Sequence, residues 1–204
     1  MPINVADGLP AKKILHDERI FALEDEVARN QQIRPLKVVI LNLMPTKVET
    51  ETQILRLISK SPIQVDCDFM RVSSHESKNV SADHLVKFYE PFDAFRDRTY
   101  DGLIITGAPV EHLPFEQVDY WDEYRRIVDW SQDHVFSTMN LCWAALATLY
   151  HLHGIRKKQL PSKLFGVFPQ RLCDEYNFLT NGFDEVHNMP HSRHAAIEIG
   201  RAHV

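Results

Sequence analysis

Cys142 is the residue of this chain whose type and position most clearly suggest chemistry. It lies in the stretch FSTMNLCWAALATLYHLHGI, residues 136–155, where a run typical of a strand is followed by one typical of a helix. A helix N-terminus stabilises negative charge, and serine hydrolases place their nucleophile at this kind of turn. The alternative is a small buried side chain, the commoner role of a lone cysteine in an apolar stretch.

A thiolate that attacks a carbonyl needs hydrogen-bond donors for the oxyanion that forms. The backbone N–H of Trp143, next to Cys142, is one predicted donor. The backbone near Gly107 and Ala108, in the small-residue turn that follows a predicted strand, is the second. Together these residues predict nucleophilic acyl chemistry with a backbone oxyanion hole.

Strand and helix patterns alternate around these turns. The predicted strands are residues 36–43, 62–72, 102–106 and 134–141, and the predicted helices are 47–61, 81–90, 118–134 and 143–154. Such alternation is typical of a doubly wound α/β domain with a mostly parallel sheet. Ligands bind outside the carboxyl ends of the strands in such sheets, which selects the turns 44–46, 107–111 and 141–143.

The N-terminal residues 1–35 are polar and contain three prolines. They are interpreted as an N-terminal arm with one helix near residues 18–30. The regular pattern begins at residue 36, so the domain boundary is placed there.

Composition excludes several function classes. The chain has 204 residues and a net charge of −5, which gives no reason to expect nucleic acid or an anionic membrane as partner. No apolar run reaches the roughly 18 residues of a membrane span, and no signal peptide is evident. Cys67, Cys142 and Cys173 show no CxxC spacing, so neither a disulfide framework nor a metal site is predicted, and the expected location is cytoplasmic. Cys67 is predicted to lie in the core, and Cys173 is given no role.

Long blocks of the chain resemble the homoserine O-acyltransferases of methionine biosynthesis, which are relatives of the class I glutamine amidotransferases. The blocks are IRPLKVVILNLMPTKVETETQ (33–53), DGLIITGAPVE (101–111), WSQDHVFSTMNLCWAALATLYHLHGI (130–155), KLFGVF (163–168) and PHSR (190–193). The resemblance runs to about residue 197. It implies a flavodoxin-like, class I glutamine amidotransferase-like fold over residues 36–197, incomplete at the C-terminus.

The resemblance also implies a reaction. The cysteine at the position of Cys142 takes an acyl group from acyl-CoA and passes it to the hydroxyl of homoserine, which is ping-pong catalysis through a thioester. No cofactor is implied beyond acetyl-CoA as co-substrate, and the family suggests a homodimer when the chain is complete. Lys163 and Ser192 match substrate-binding residues, although by themselves they would be interpreted as a surface lysine and a loop hydroxyl.

Glu111 follows GAPV, at the position where family members divide by acyl donor. A glutamate there fills space and repels the distal carboxylate of succinyl-CoA, whereas acetyl-CoA has no such carboxylate. Acetyl transfer is therefore predicted, with succinyl transfer as the alternative. By itself Glu111 would be interpreted as a surface carboxylate beside His112.

The catalytic histidine and glutamate of the family lie in a GHPEYD-like segment, and none of the 11 histidines here has that context. Both are therefore expected to be absent from this chain. The resemblance stops before EIGRAHV, residues 198–204, which is predicted to be a non-native tail on a truncated, inactive and aggregation-prone fragment. The remaining alternatives are an amidotransferase-like glutaminase or hydrolase that uses the same cysteine, and a binding module that has lost its base.

Overall fold

The computed structural model of the protein describes residues 3–20, 22–24, 34–74, 82–174 and 177–197. The chain divides into two compact units, residues 1–154 and residues 155–204. The predicted tail over 198–204 lies outside the described residues. The predicted division into an arm over 1–35 and a domain over 36–197 stays a prediction.

The larger unit is built on a parallel sheet. Its described strands are β1 (Ile3–Val5), β2 (Ala22–Glu24), β3 (Leu36–Leu41), β4 (Val65–Arg71), β5 (Tyr89–Pro91), β6 (Tyr100–Ile105) and β7 (Val135–Asn140). The strand order is β2-β1-β4-β3-β6-β7, and β5 pairs with the second half of β4. All of these pairs are parallel, which confirms the predicted α/β class and the mostly parallel sheet.

The described residues of this unit contain five α-helices. They are α1 (Pro10–Asp17), α2 (Lys47–Ile58), α3 (Ala82–Phe88), α4 (Trp121–His134) and α5 (Trp143–His153). Tyr124, Ile127 and Val128 of α4 recur at helical spacing and are buried, as the amphipathic pattern predicts. Gly154 ends α5 with a φ of 68°, the left-handed conformation that favours glycine.

The core lies on both faces of the sheet. Val39 and Leu41 of β3 pack in one apolar cluster, and Ile40 between them packs in the other. Successive strand residues point to opposite faces, so an uninterrupted apolar run is what a strand covered on both sides requires. Because β3, β6 and β7 pair in parallel, their carboxyl ends lie at one edge of the sheet, where the candidate site is found.

The N-terminal residues differ from the predicted arrangement. The helix observed is α1, because Pro10 begins it in a position where no N–H is needed, and residues 22–24 form a strand instead of a helix. Ile3 of β1 pairs with Val65, so these residues extend the sheet. A strand of three residues is too short to show periodicity. The remaining predicted helical residues, 25–30, lie outside the described part of the chain.

The smaller unit contains an antiparallel hairpin that the sequence did not predict. Its strands are β8 (Lys158–Arg171) and β9 (Val186–Ala196), with a register shift between Gln159 and Leu164. A short 3-10 helix, Phe178–Thr180, lies between the two strands. Pro161 and Pro169 within β8 conceal the strand at the sequence level, because proline is uncommon inside strands.

Candidate active site

Cys142 has an unusual backbone conformation, with φ 52° and ψ −114°. Arg19 is the other described non-glycine residue with a positive φ. Strained backbone of this kind concentrates at functional turns, and it turns the side chain out of the sheet edge between β7 and α5. The Cys142 side chain is exposed, whereas Cys67 is buried in the core and burial raises the pKa of its thiol. The elbow thiol is therefore accessible to a substrate.

A glycine allows the neighbouring turn to approach the elbow. A Cβ atom on Gly107 would lie 3.1 Å from the Cβ of Cys142, which is closer than side-chain carbons normally pack. The Leu141 N–H donates to the Ile105 carbonyl at 2.9 Å and so fixes the elbow against β6. The glycine of TGAPV thus brings the turn after β6 directly against Cys142.

Thr106 joins a third turn to the other two. Its N–H donates to the carbonyl of Leu41 at 3.0 Å, at the end of β3. The Leu43 N–H in turn donates to Thr106 Oγ1 at 2.7 Å. Because Thr106 is buried, these bonds hold the turns after β3 and β6 in one arrangement.

A cavity of about 430 Å³ lies beside the thiol, and it is called the thiol cavity here. Its lining includes Met44, Gly107, Ala108, Pro109, Leu141 and Cys142. These residues come from all three turns that the strand-end rule selected, so the structure brings the predicted turns together. The size is ordinary for a small-molecule site.

The two predicted oxyanion donors lie on either side of the elbow. Trp143 is the first residue of α5, where the N–H groups have no partner within the helix, and Ala108 lines the thiol cavity. The start of α5 is held in place by Tyr124, whose hydroxyl donates to the Ala144 carbonyl at 3.0 Å. The position suits oxyanion stabilisation, and the role of each donor stays a prediction.

A second cavity of about 500 Å³ adjoins the first and shares Met44 and Pro109 with it. Lys47 and Arg71 line it, so it is called the cation cavity. Glu111 lies in the turn that follows Val110, and both Val110 and Leu113 line this cavity. The predicted specificity residue is therefore next in sequence to a cavity wall, while its role stays a prediction.

A buried polar network supports the turn after β3, and sequence reasoning missed it. Glu51 of α2 is fully buried and accepts a hydrogen bond from the Tyr89 hydroxyl at 2.5 Å. His84 Nε2 lies 2.9 Å from the same carboxylate. Asn42 donates to the Tyr89 hydroxyl at 2.9 Å, and Lys47 donates to the Asn42 carbonyl. The available signal was polar residues on the inner face of α2, where apolar ones are the rule.

Lys47 is the buried cation of this network. Burial lowers the pKa of Lys47 to about 8, and the negative charge of Glu51 opposes this effect. Its side chain is only 6% exposed. A buried ammonium is costly unless it is paired and hydrogen-bonded, so the neighbouring Glu51 carboxylate and Asn42 carbonyl stabilise Lys47.

Lys163 and Ser192 belong to the smaller unit, where the hairpin brings them near one another. Lys163 lies within the register shift of β8, and its ammonium is 5.4 Å from the centre of the Phe165 ring. Ser192 of β9 is the residue paired with Phe165. Both side chains are exposed, and their role in substrate binding stays a prediction.

None of the described helices is long and apolar enough to cross a membrane.

Comparison with known proteins identifies the family to which the chain is similar. A family model described as homoserine O-succinyltransferase matches residues 2–202. The chain is 66% identical over 200 residues to a homoserine O-acetyltransferase of Bifidobacterium adolescentis, covering 98% of the chain and 58% of that relative. It is 51% identical over 197 residues to the homoserine O-acetyltransferase of Acetivibrio thermocellus, covering 97% of the chain and 65% of that relative. The chain thus spans less than two thirds of the length of these two relatives.

Proposed function

The chain belongs to the homoserine O-succinyltransferase family, and from this premise we propose that the protein transfers an acetyl group from acetyl-CoA to the hydroxyl of L-homoserine. The products are O-acetyl-L-homoserine and CoA. The observation that carries the proposal is the exposed Cys142 at a strained elbow between a parallel strand and a helix. The name printed for the similar relatives supports acetyl as the group transferred.

The reaction proceeds in two transfers. In the first, Cys142 Sγ attacks the thioester carbonyl of acetyl-CoA, a new S–C bond forms, and CoA leaves with the thiol proton. In the second, the homoserine hydroxyl oxygen attacks the thioester carbonyl, an O–C bond forms, the S–C bond to Cys142 breaks, and the released thiolate takes the hydroxyl proton. This is covalent catalysis, in which one difficult step is divided into two easier ones.

The remaining site residues stabilise the oxyanion, bind substrate and select the acyl donor. The N–H groups of Trp143 and Ala108 stabilise the oxyanion of each tetrahedral intermediate. Lys163 and Ser192 bind substrate, and Glu111 disfavours donors with a distal carboxylate. The substrates are small molecules, the expected location is the cytoplasm, and the proposed assembly is a homodimer.

The first transfer provides the test, because the Cys142 thiol and acetyl-CoA are its only reactants. Without the histidine and glutamate expected to be absent, a single slow acetylation is expected in place of turnover with homoserine. Incubation with acetyl-CoA should place one acetyl group on Cys142, detected by intact mass and peptide mapping. The Cys142→Ser variant should lose that thioester adduct. Cys173→Ser is the matched control, since Cys173 is also exposed but is not at the elbow.

An unmodified Cys142, or equal acetylation of Cys142 and Cys173, would show that the elbow does not activate the thiol and would refute the proposal. Glutamine in place of acetyl-CoA should release no ammonia. Release of ammonia would instead support an amidotransferase-like glutaminase.

A further inference from the structure

The cation cavity holds a cation whose bonding is incomplete. Arg71 is the last residue of β4, and its Nε atom is buried with no hydrogen-bond partner among the described residues. Buried polar groups are nearly always paired, and a guanidinium is especially suited to pair with a carboxylate or phosphate. The orphaned Nε therefore suggests that the cavity receives an anion.

The carboxylates near this end of the sheet do not supply that anion. Glu123 is buried and accepts hydrogen bonds from Ser73 and Ser74, so its carboxylate is already hydrogen-bonded elsewhere. Glu51 accepts from Tyr89 and contacts His84. Asp119 lines the cavity with an exposed side chain, and it makes no hydrogen bond to the Arg71 Nε.

The rest of the lining fits a long ligand with an apolar arm. Leu43, Val72, Val110 and Leu113 form apolar walls, and the volume of about 500 Å³ is within the range of drug-sized ligands. A four-carbon amino acid would fill only a small part of it. Met44 and Pro109 also line the thiol cavity. A ligand that occupies both cavities therefore extends to Cys142.

We propose that the cation cavity binds the phosphate-bearing carrier of the acyl donor, with Arg71 as the residue that binds a phosphate group. This inference rests on the proposed function, since the ligand is the carrier of the group transferred to Cys142. The apolar walls contact the arm between the phosphates and the thioester. Lys47 provides a second cation on the same lining.

The test compares two acyl donors that differ in phosphate. Acetylation of Cys142 is measured against the concentration of acetyl-CoA and of S-acetyl-N-acetylcysteamine, a thioester without phosphate. Arg71→Gln should raise the half-saturating acetyl-CoA concentration roughly ten-fold, the size expected for a charge-assisted hydrogen bond. It should leave the rate with the phosphate-free thioester unchanged. Arg125→Gln is the control, because Arg125 is exposed on α4 and pairs only with Asp122 within the described residues.

Three outcomes would overturn the inference. The first is an acetyl-CoA dependence that Arg71→Gln does not change. The second is an equal loss with both donors, which would make Arg71 a structural residue. The third is an effect confined to the discharge of the thioester by homoserine, which would assign the anion to the homoserine carboxylate.

Calorimetric titration with CoA separates this inference from the proposed function. If Cys142 of the parent chain is not acetylated, the proposed function fails. CoA binding that Arg71→Gln weakens roughly ten-fold would still support the cavity assignment, and binding that it leaves unchanged would refute it.

Discussion

At the scale of single residues, Cys142 holds a backbone conformation that costs on the order of 1–3 kcal/mol. Such strain persists where the surroundings determine it, and here Gly107 and the Leu141–Ile105 hydrogen bond do so. Together they hold the exposed thiol at the mouth of the thiol cavity. This geometry suits a nucleophile, the role that stays a prediction for Cys142, and the close approach explains why the neighbouring position of TGAPV is glycine.

Glu111 is the residue where donor choice is tested. Replacing Glu111 with Gly removes a negative charge beside the wall of the cation cavity, so succinyl-CoA should become a donor for Cys142. We expect the rate of succinylation, measured by intact mass, to rise at least ten-fold, since removal of like-charge repulsion is worth about 1.4 kcal/mol or more. Acetylation should change little.

Glu116→Gly is the matched control, because Glu116 lies in the 3-10 helix Phe115–Gln117 outside the described lining of both cavities. If the Glu111→Gly variant is succinylated no faster than the parent chain, Glu111 does not select the acyl donor.

At the scale of elements, α2 connects the core to the site. Its inner face carries Lys47 and Glu51, four residues apart and therefore on the same side of the helix. Glu51 reaches Tyr89 of β5, and Lys47 reaches the carbonyl of Asn42 at the end of β3. The helix thereby fixes the turn that contains Met44, which lines both cavities.

Lys47 makes the stability of this element depend on pH. Its pKa is about 8 in the folded chain and about 10.4 when unfolded, so between these values the unfolded chain binds the extra proton and stability rises with pH. Lys47→Met removes the buried ammonium. The free energy of unfolding of the Lys47→Met variant minus that of the parent chain should therefore fall by about 2–3 kcal/mol between pH 7 and pH 10, because only the parent chain gains stability over this range.

Chemical denaturation of both chains at several pH values measures this difference. Lys60→Met is the control, because Lys60 is exposed just after α2. Glu51, His84 and Tyr89 face the same network and are unchanged in both chains. A constant difference between Lys47→Met and the parent chain across this range would contradict the lowered pKa.

At the scale of the whole molecule, β7 is one of the two edge strands in the described strand order, and β2 is the other. Strand β7 pairs with β6 on one side, and no other described strand pairs with it. Phe136 is 93% exposed and Met139 is 59% exposed on this strand. An open strand with exposed apolar side chains is a template for association with another chain.

We expect the chain to self-associate through β7. The double variant Phe136→Thr with Met139→Thr introduces β-branched residues, which favour a strand, and removes the exposed apolar surface of β7. Light scattering during concentration should show less association, while far-ultraviolet circular dichroism stays unchanged. Val86→Thr is the control, because Val86 is exposed on α3 and not on a sheet edge. Equal association of the double variant and the parent chain would exclude β7 as the surface responsible.

The sequence determined the parts of this protein that depend on local pattern. Apolar runs and helical spacing were enough for the order of the main strands and helices, because the burial of a face leaves a period of two or of 3.6 residues. The sequence also placed Cys142 between a strand and a helix, and it placed the small residues of TGAPV in a turn. The resemblance supplied the proposed substrates, which no periodicity encodes.

Only the tertiary structure decided the parts that depend on residues far apart in the chain. The thiol cavity forms where the turns after β3, β6 and β7 meet, and the cation cavity forms between the turns after β3 and β6 and the end of β4. The hydrogen bond between Glu51 and Tyr89 and the pairing of β1 with β4 join groups that are far apart in the sequence. The lack of a hydrogen-bond partner for Arg71 Nε among the described residues is likewise visible only in the folded chain. Local sequence specifies which face of an element is buried, but the shape of a cavity and the partner of a buried charge are set by long-range packing.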